Sequence, residues 1–184
     1  WVYGKQTGEC QVYYKNGDIY SGNFLNGMRH GYGELFTIDN FRNYKGSWNK
    51  DYLTGDVIIT SEEWSFKGHY NHFNLHAEGQ LLYKDQSSYF GLLIDFKKKG
   101  IGTYFFASGE QIKGHWTNDY DVINATKKDQ NGFIWKGTFK DLKPNGLINV
   151  ELPCRQSYDG IWSNGVMQRA IGAFGIKLRP FIVN

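Results

Sequence analysis

The stretch YSGNFLNGMRHGYG, Tyr20 to Gly33, sets glycine at 22, 27, 31 and 33 against rings at 20, 24 and 32. Side chains two apart on a strand share a face, so Gly22 stands between Tyr20 and Phe24 and leaves room there for a neighbouring ring or backbone. Such alternation of the smallest and largest side chains is a strand signature rather than a helical one.

Working outward from Gly22, the same aromatic-x-Gly-x-aromatic unit recurs at Gly46, Gly68, Gly91, Gly114, Gly137 and Gly160, at spacings of 22 to 24 residues. One glycine held in phase seven times identifies a repeat array. Two residues before these anchors stand Tyr20, Tyr44, Phe66, Tyr89, Ile112, Trp135 and Tyr158. Two after stand Phe24, Trp48, Tyr70, Leu93, Trp116, Phe139 and Trp162. Nine after, a small residue recurs as Gly31, Gly55, Ala77, Gly100 and Gly146, with Ile123 and Arg169 as lapses. The column thirteen after is Leu35, Ile59, Leu81, Tyr104, Lys127 and Val150, broken by the lysine alone. Turn pairs such as Asn16-Gly17, Asp39-Asn40, Ser108-Gly109 and Asn131-Gly132 separate the strands, so each repeat is about one β-hairpin.

The register also reads backwards. Trp1 falls in the column of Trp48, Gly4 in that of Gly27 and Gly8 in that of Gly31, so the chain is expected to begin inside a motif and to be part of a longer protein. The expected organisation is an array of about seven repeats over residues 1–170, the first truncated, and a C-terminal capping strand or extension over 171–184. Phe174, Ile176 and Leu178 keep an alternating pattern in that extension.

Composition narrows the class. Of 184 residues, 17% are aromatic and only 3 are proline, which suits an ordered β-rich chain. The net charge of +3 falls short of the dense basic clustering that nucleic-acid binding needs, so no nucleic-acid partner is expected. No apolar run reaches the length of a membrane span. Two cysteines, Cys10 and Cys154, are too few for a disulfide framework and fit a reducing compartment. On an array of this kind they would lie about six repeats apart, far beyond bridging distance.

The units resemble MORN (membrane occupation and recognition nexus) repeats, of approximate form Tyr-x-Gly-x-Trp-x-x-Gly followed by His-Gly-x-Gly. Tyr20, Gly22, Phe24, Gly27, His30, Gly31 and Gly33 carry the match. Asp51 and Asp119 replace the second glycine, and the fifth repeat has Val122 to Ala125 where a small pair is expected. The resemblance implies an all-β fold, an elongated single-layer antiparallel solenoid of hairpins of about 23 residues, and a role in scaffolding, membrane-proximal organisation or partner docking. Seven hairpins at strand spacing would run roughly 65 Å.

Two faces follow. One carries the ring columns, which bury one another as the sheet curls or leave an open groove for a helix or extended peptide of a protein partner. The candidate groove residues are Tyr20, Phe24, Tyr44, Trp48, Phe66, Tyr70, Trp116, Trp135 and Phe139, with Trp48, Tyr70 and Trp116 as the expected anchors. The other face carries Lys45, Lys67, Lys113 and Lys136, each one residue before an anchor glycine, which could meet acidic phospholipid or an acidic partner. The run Lys97-Lys98-Lys99 reads as a solvated turn.

His69, His72 and His76 invite a zinc reading, but His76 shares the column of His30 and His69 that of His115, which makes them motif positions. No nucleophile pairs with a base, and the glycines lack the strand-to-helix setting of a phosphate loop. The sequence therefore points to a non-catalytic scaffold or adapter with no cofactor and no metal. The alternatives are a peripheral membrane adapter and a docking or regulatory domain of a larger enzyme. The expected location is the cytoplasm, with association to the cytoskeleton or the cytoplasmic side of a membrane as a further expectation, and open sheets leave unpaired edges through which terminal hairpins could form a homodimer.

Overall fold

A computed structural model of the chain describes residues 4–72 and 75–173. The described residues form fifteen strands and no helix. Every pairing between chain neighbours within the two units is antiparallel, as the hairpin spacing predicts.

The first unit spans residues 1–97. It holds β1 (Gly8–Tyr13), β2 (Ile19–Leu25), β3 (Met28–Thr37), β4 (Arg42–Asn49), β5 (Tyr52–Thr60), β6 (Trp64–Asn71), β7 (His76–Tyr83) and β8 (Ser88–Ile94). The second unit spans 98–184. Its strands are β9 (Lys97–Phe105), β10 (Gln111–Trp116), β11 (Val122–Lys128), β12 (Ile134–Lys140), β13 (Lys143–Glu151), β14 (Ser157–Ser163) and β15 (Val166–Ala173). Trp1 and the expected cap residues Phe174, Ile176 and Leu178 lie outside the described residues.

The anchor glycines fall on the even-numbered strands, and register explains their recurrence. Gly22 faces Gly33 and Gly33 faces Gly46, Gly68 faces Gly79 and Gly79 faces Gly91, so glycines line up across the first unit with Val57 alone between Gly46 and Gly68. Into this trough fold the flanking rings. A Cβ on Gly33 would collide with the Tyr20 hydroxyl, and one on Gly22 would lie 2.6 Å from the Gly33 Cα.

Four of the large rings satisfy their polar atoms locally, whereas the buried Trp162 indole N–H has no partner among the described residues. Tyr20 donates to the Asn23 carbonyl at 3.2 Å and Tyr89 to that of Leu92 at 3.1 Å. The Trp48 indole N–H donates to the Gly33 carbonyl at 3.1 Å, and that of Trp116 to the Gly102 carbonyl at 3.0 Å. An indole thus reaches back across the glycine trough to the preceding hairpin in both units, which lets a large ring be buried without stranding its donor.

Two lapses in the pattern acquire physical reasons. The small column nine residues past the anchor is selected for backbone conformation: Gly31, Gly55, Gly100 and Gly146 have φ between 64° and 82°. In the fifth repeat the bulge comes one residue later, and Asn124, at φ 49°, takes that left-handed conformation in place of Ile123. Lys127, the exception in the apolar column, pairs with Glu110 at 3.2 Å while its ammonium lies 5.1 Å from the Phe106 ring centre.

The lysine run requires a correction. Lys97 to Lys99 begin β9 rather than forming a solvated turn, and strand alternation turns the middle one inward, so Lys98 is 5% exposed while Lys97 and Lys99 face solvent.

Candidate functional site

Successive hairpin ends are stapled together. Asp51 donates its N–H to the Arg29 carbonyl at 3.0 Å, and Asp95 to that of Leu75 at 3.0 Å. In the second unit Leu142 bonds Tyr120 and Gly165 bonds Pro144 in the same way. The two aspartates that replace the second motif glycine add a side-chain bond to this ladder. The Asp51 carboxylate accepts the Arg29 backbone N–H at 3.0 Å and pairs with its guanidinium at 3.1 Å. Asp119 likewise accepts the Lys98 backbone N–H at 2.8 Å.

These two aspartate contacts each set a cation on the rings. The Arg29 guanidinium lies 4.4 Å from the Trp48 ring centre and 5.8 Å from that of Tyr20. Lys98 Nζ lies 5.4 Å from Trp116 and 4.7 Å from Tyr104, and donates to the Asp119 carbonyl at 3.0 Å. Burial pushes the Lys98 ammonium down to about 8, only partly opposed by the Asp119 charge. Below that value the folded state keeps a buried cation. From about pH 8 upward the unfolded chain holds a proton that the folded chain has shed, so stability rises with pH until free lysine also deprotonates near 10.4. Burial raises the Tyr20 hydroxyl to about 12, and this and other raised tyrosines reverse the trend above about pH 10. Relative to Lys98→Met, the native chain should gain on the order of 1 kcal/mol between pH 8 and 9.5 in urea titrations. Parallel stability curves for the two proteins would refute this.

The first unit also contains a concavity of about 460 Å³. Leu35, Tyr44, Trp48, Leu53, Tyr70 and Phe96 supply its apolar lining. Arg29, Arg42, Asp18, Asp39, Asp51 and Asp95 supply its charges. Phe96 stacks on Tyr70 with ring centres 5.7 Å apart and on Trp64 at 5.3 Å, and the Arg42 guanidinium caps Trp64 at 5.1 Å. Phe96 occupies the second-glycine column of its repeat at φ 56°, a conformation that costs a bulky residue on the order of 1–3 kcal/mol. Leu142 takes the same left-handed conformation in the same column at φ 60°, and at Phe96 the contacts with Tyr70 and Trp64 offset the strain.

The nine predicted groove residues separate accordingly. Tyr20, Phe24, Trp48, Phe66, Tyr70, Trp116 and Phe139 are buried, and their rings form the protein's own core. Tyr44 is half-buried at the concavity, with the edges of Trp48 and Tyr70 beside it. Trp135, also half-buried, packs edge-on against Trp162 at 5.1 Å in the second unit. Arg29, Arg42, Asp39, Asp95 and Phe96 escaped the sequence reading. The loss of glycine at position 96 did not signal the last, because five of the seven positions in that column lack glycine.

All four lysines of the other face are exposed, with carboxylates interleaved. Lys45 lies 3.7 Å from Glu34 and Lys136 lies 3.2 Å from Glu151. The cross-strand row through the first unit runs Glu34, Lys45, Ile58, Lys67, Gln80 and Phe90. Among the histidines, His69 contacts Asp56 at 3.3 Å and His72 lies 5.0 Å from the Tyr52 ring at the rim of the concavity. Among the described residues no group of three metal-ligating side chains converges.

The family model of the MORN repeat matches residues 1–19, 20–37 and 158–168. In these three segments the chain carries MORN repeats. Similar curated proteins are Alsin of Rattus norvegicus and Alsin of Homo sapiens, each 28% identical over 150 residues that make up 76% of this chain. The chain spans only 9% of the length of these relatives. Among solved structures, the TCP domain of Drosophila melanogaster SAS-4, in complex with a proline-rich motif of Ana2, aligns at a TM-score of 0.34 and 12% identity, covering 82% of this chain and 88% of that one. The G-box domain of the microcephaly protein CPAP aligns at 0.31 and 13%, covering 88% and 97%. The MORN segments at 1–37 and 158–168 lie at the two ends of the repeat register read from Gly22 to Gly160.

Proposed function

We propose that the chain works by binding, as a non-catalytic scaffold whose first-unit concavity receives a segment of a protein partner. The observation that carries this reading is the Phe96 ring, held in a left-handed turn where it stacks on Tyr70 and lines a cavity of about 460 Å³. That volume lies in the range of sites that bury a ligand, and the mixture of apolar lining with a few convergent polar groups is the usual composition of one. MORN repeats at both ends of the chain support a scaffold over an enzyme. The rival membrane reading draws less support, because Lys45 and Lys136 lie beside carboxylates that offset their attraction to an anionic surface.

The test is a crosslinked capture from native lysate by the full 184-residue chain, washed at about 0.15 M and about 0.5 M salt, where surface attraction is screened. A partner held through the stronger wash by the native chain and lost from Tyr44→Ala is the expected result. Retention by both proteins would move the contact away from the concavity. Loss of every protein at high salt, with recovery of anionic vesicles at low salt, would favour the lysine face.

A further inference from the structure

Resting on the docking role of the concavity, we propose that its occupant is an extended peptide segment presenting a cationic side chain, arginine or lysine, flanked by apolar residues. The uncommitted groups of the cavity decide the sign. Arg29 is engaged by Asp51 through a 3.1 Å ion pair and a second bond to the Asp51 carbonyl at 3.1 Å, and its flat face covers Trp48. Arg42 is spread over Trp64 and Phe96 at 5.1 and 6.0 Å. Of the four carboxylates, Asp51 is taken by Arg29, and Asp18 accepts the Ile38 N–H at 3.0 Å and the Asn16 amide at 2.8 Å. Asp39 and Asp95 are exposed, and among the described residues neither carboxylate accepts a hydrogen bond or forms an ion pair.

Four carboxylates against two guanidinium groups leave the lining net negative, and the two spare carboxylates are acceptors only. The hydroxyls of Tyr44 and Tyr70 have no hydrogen-bond partner among the described residues and add two more oxygens to the cavity wall. The Tyr44 ring face has no aromatic partner among them either, so a guanidinium can stack there while its N–H groups reach Asp39 or Asp95. Leu35 and Leu53 provide the floor for flanking apolar side chains. An acidic segment would meet four carboxylates, with Arg29 already held by Asp51.

Panning a displayed library of random peptides of about twelve residues against the full chain supplies defined probes. The enriched peptides are then titrated by fluorescence anisotropy against the native chain, Asp39→Asn/Asp95→Asn and Tyr44→Ala. The expected result is enrichment of arginine or lysine beside leucine, isoleucine or phenylalanine. Affinity should fall about tenfold or more on Asp39→Asn/Asp95→Asn, and equally when citrulline replaces the peptide arginine. Both aspartates are exposed, so this variant keeps its fold, which circular dichroism verifies. Peptides without a cation that ignore Asp39→Asn/Asp95→Asn but are lost from Tyr44→Ala would overturn the charge selectivity and leave docking standing. Peptides insensitive to all three substitutions, or none enriched, would overturn docking at this cavity and the selectivity with it.

Discussion

Replacing Trp116 by alanine should destabilise the second unit by about 3–5 kcal/mol, a large fraction of the whole stability of an ordinary domain. The Trp116 side chain is fully buried, and its indole N–H satisfies the Gly102 carbonyl at 3.0 Å. Lys98 lies against the same ring at 5.4 Å, so alanine would leave a buried ammonium beside a void. Three losses therefore coincide: apolar contact, a hydrogen bond to the preceding hairpin and the support of a desolvated cation. Trp116→Phe separates them, since it keeps most of the ring area while removing the N–H, and should cost about 1–3 kcal/mol. In a repeat array each unit leans on its neighbours, so the loss should also loosen β9 and β11, read as faster amide exchange there than in β14. A cost below about 1 kcal/mol for Trp116→Ala in urea unfolding would mean that the ring is not a keystone of its unit.

The repeat was legible because its signal is redundant. Seven anchor glycines and two flanking columns of large side chains repeat the same local constraint, and any one position can drift without hiding the period, as Ile112 and Leu93 do among the rings. Which face the rings occupy followed from strand alternation alone. The concavity was illegible because no column carries it. Arg42, Asp95 and Phe96 stand in three different phases, none of which the ring columns use, and Asp95 shares its column with Asn26, Asn118, Asp141 and Asn164, so nothing in the period singles it out.

Lys98 was misread for a related reason. Three consecutive lysines look solvated by composition, yet a strand that starts at Lys97 must turn alternate residues to opposite faces, and the Lys98 ammonium ends against the rings of Tyr104 and Trp116. Asp51 and Asp119 show the opposite lesson. As motif lapses they could be noticed, but their use needed the geometry, because each accepts an N–H from a residue more than twenty positions earlier.

Gly68→Ala should be nearly as damaging as loss of a core ring, about 3 kcal/mol, although the change adds one methyl group. In an ordinary strand the same substitution stabilises by roughly 0.5–1 kcal/mol, because alanine has less chain entropy to lose. At Gly68 steric collision outweighs that gain. The new Cβ would lie 2.7 Å from the Gly79 Cα and 2.7 Å from the Phe66 ring, and closer still to the Glu78 carbonyl oxygen. Two of those neighbours are backbone of β7, which is held to β6 from Trp64↔Tyr83 to Asn71↔His76, so relief requires the ladder itself to open. The third, Phe66, is fully buried and has nowhere to swing. Gly172→Ala is the matched control, since among the described residues a Cβ there meets nothing within 4 Å and its backbone is not left-handed. Urea midpoints should fall sharply for Gly68→Ala and stay within about 0.5 kcal/mol of native for Gly172→Ala. Equal, small effects at the two sites would mean that the glycine column is not fixed by the close approach of ring and backbone. A large effect at Gly68 alone would assign that column its physical cause: glycine lets the rings of a one-layer sheet lie flat on their own strands and make a core without a second layer.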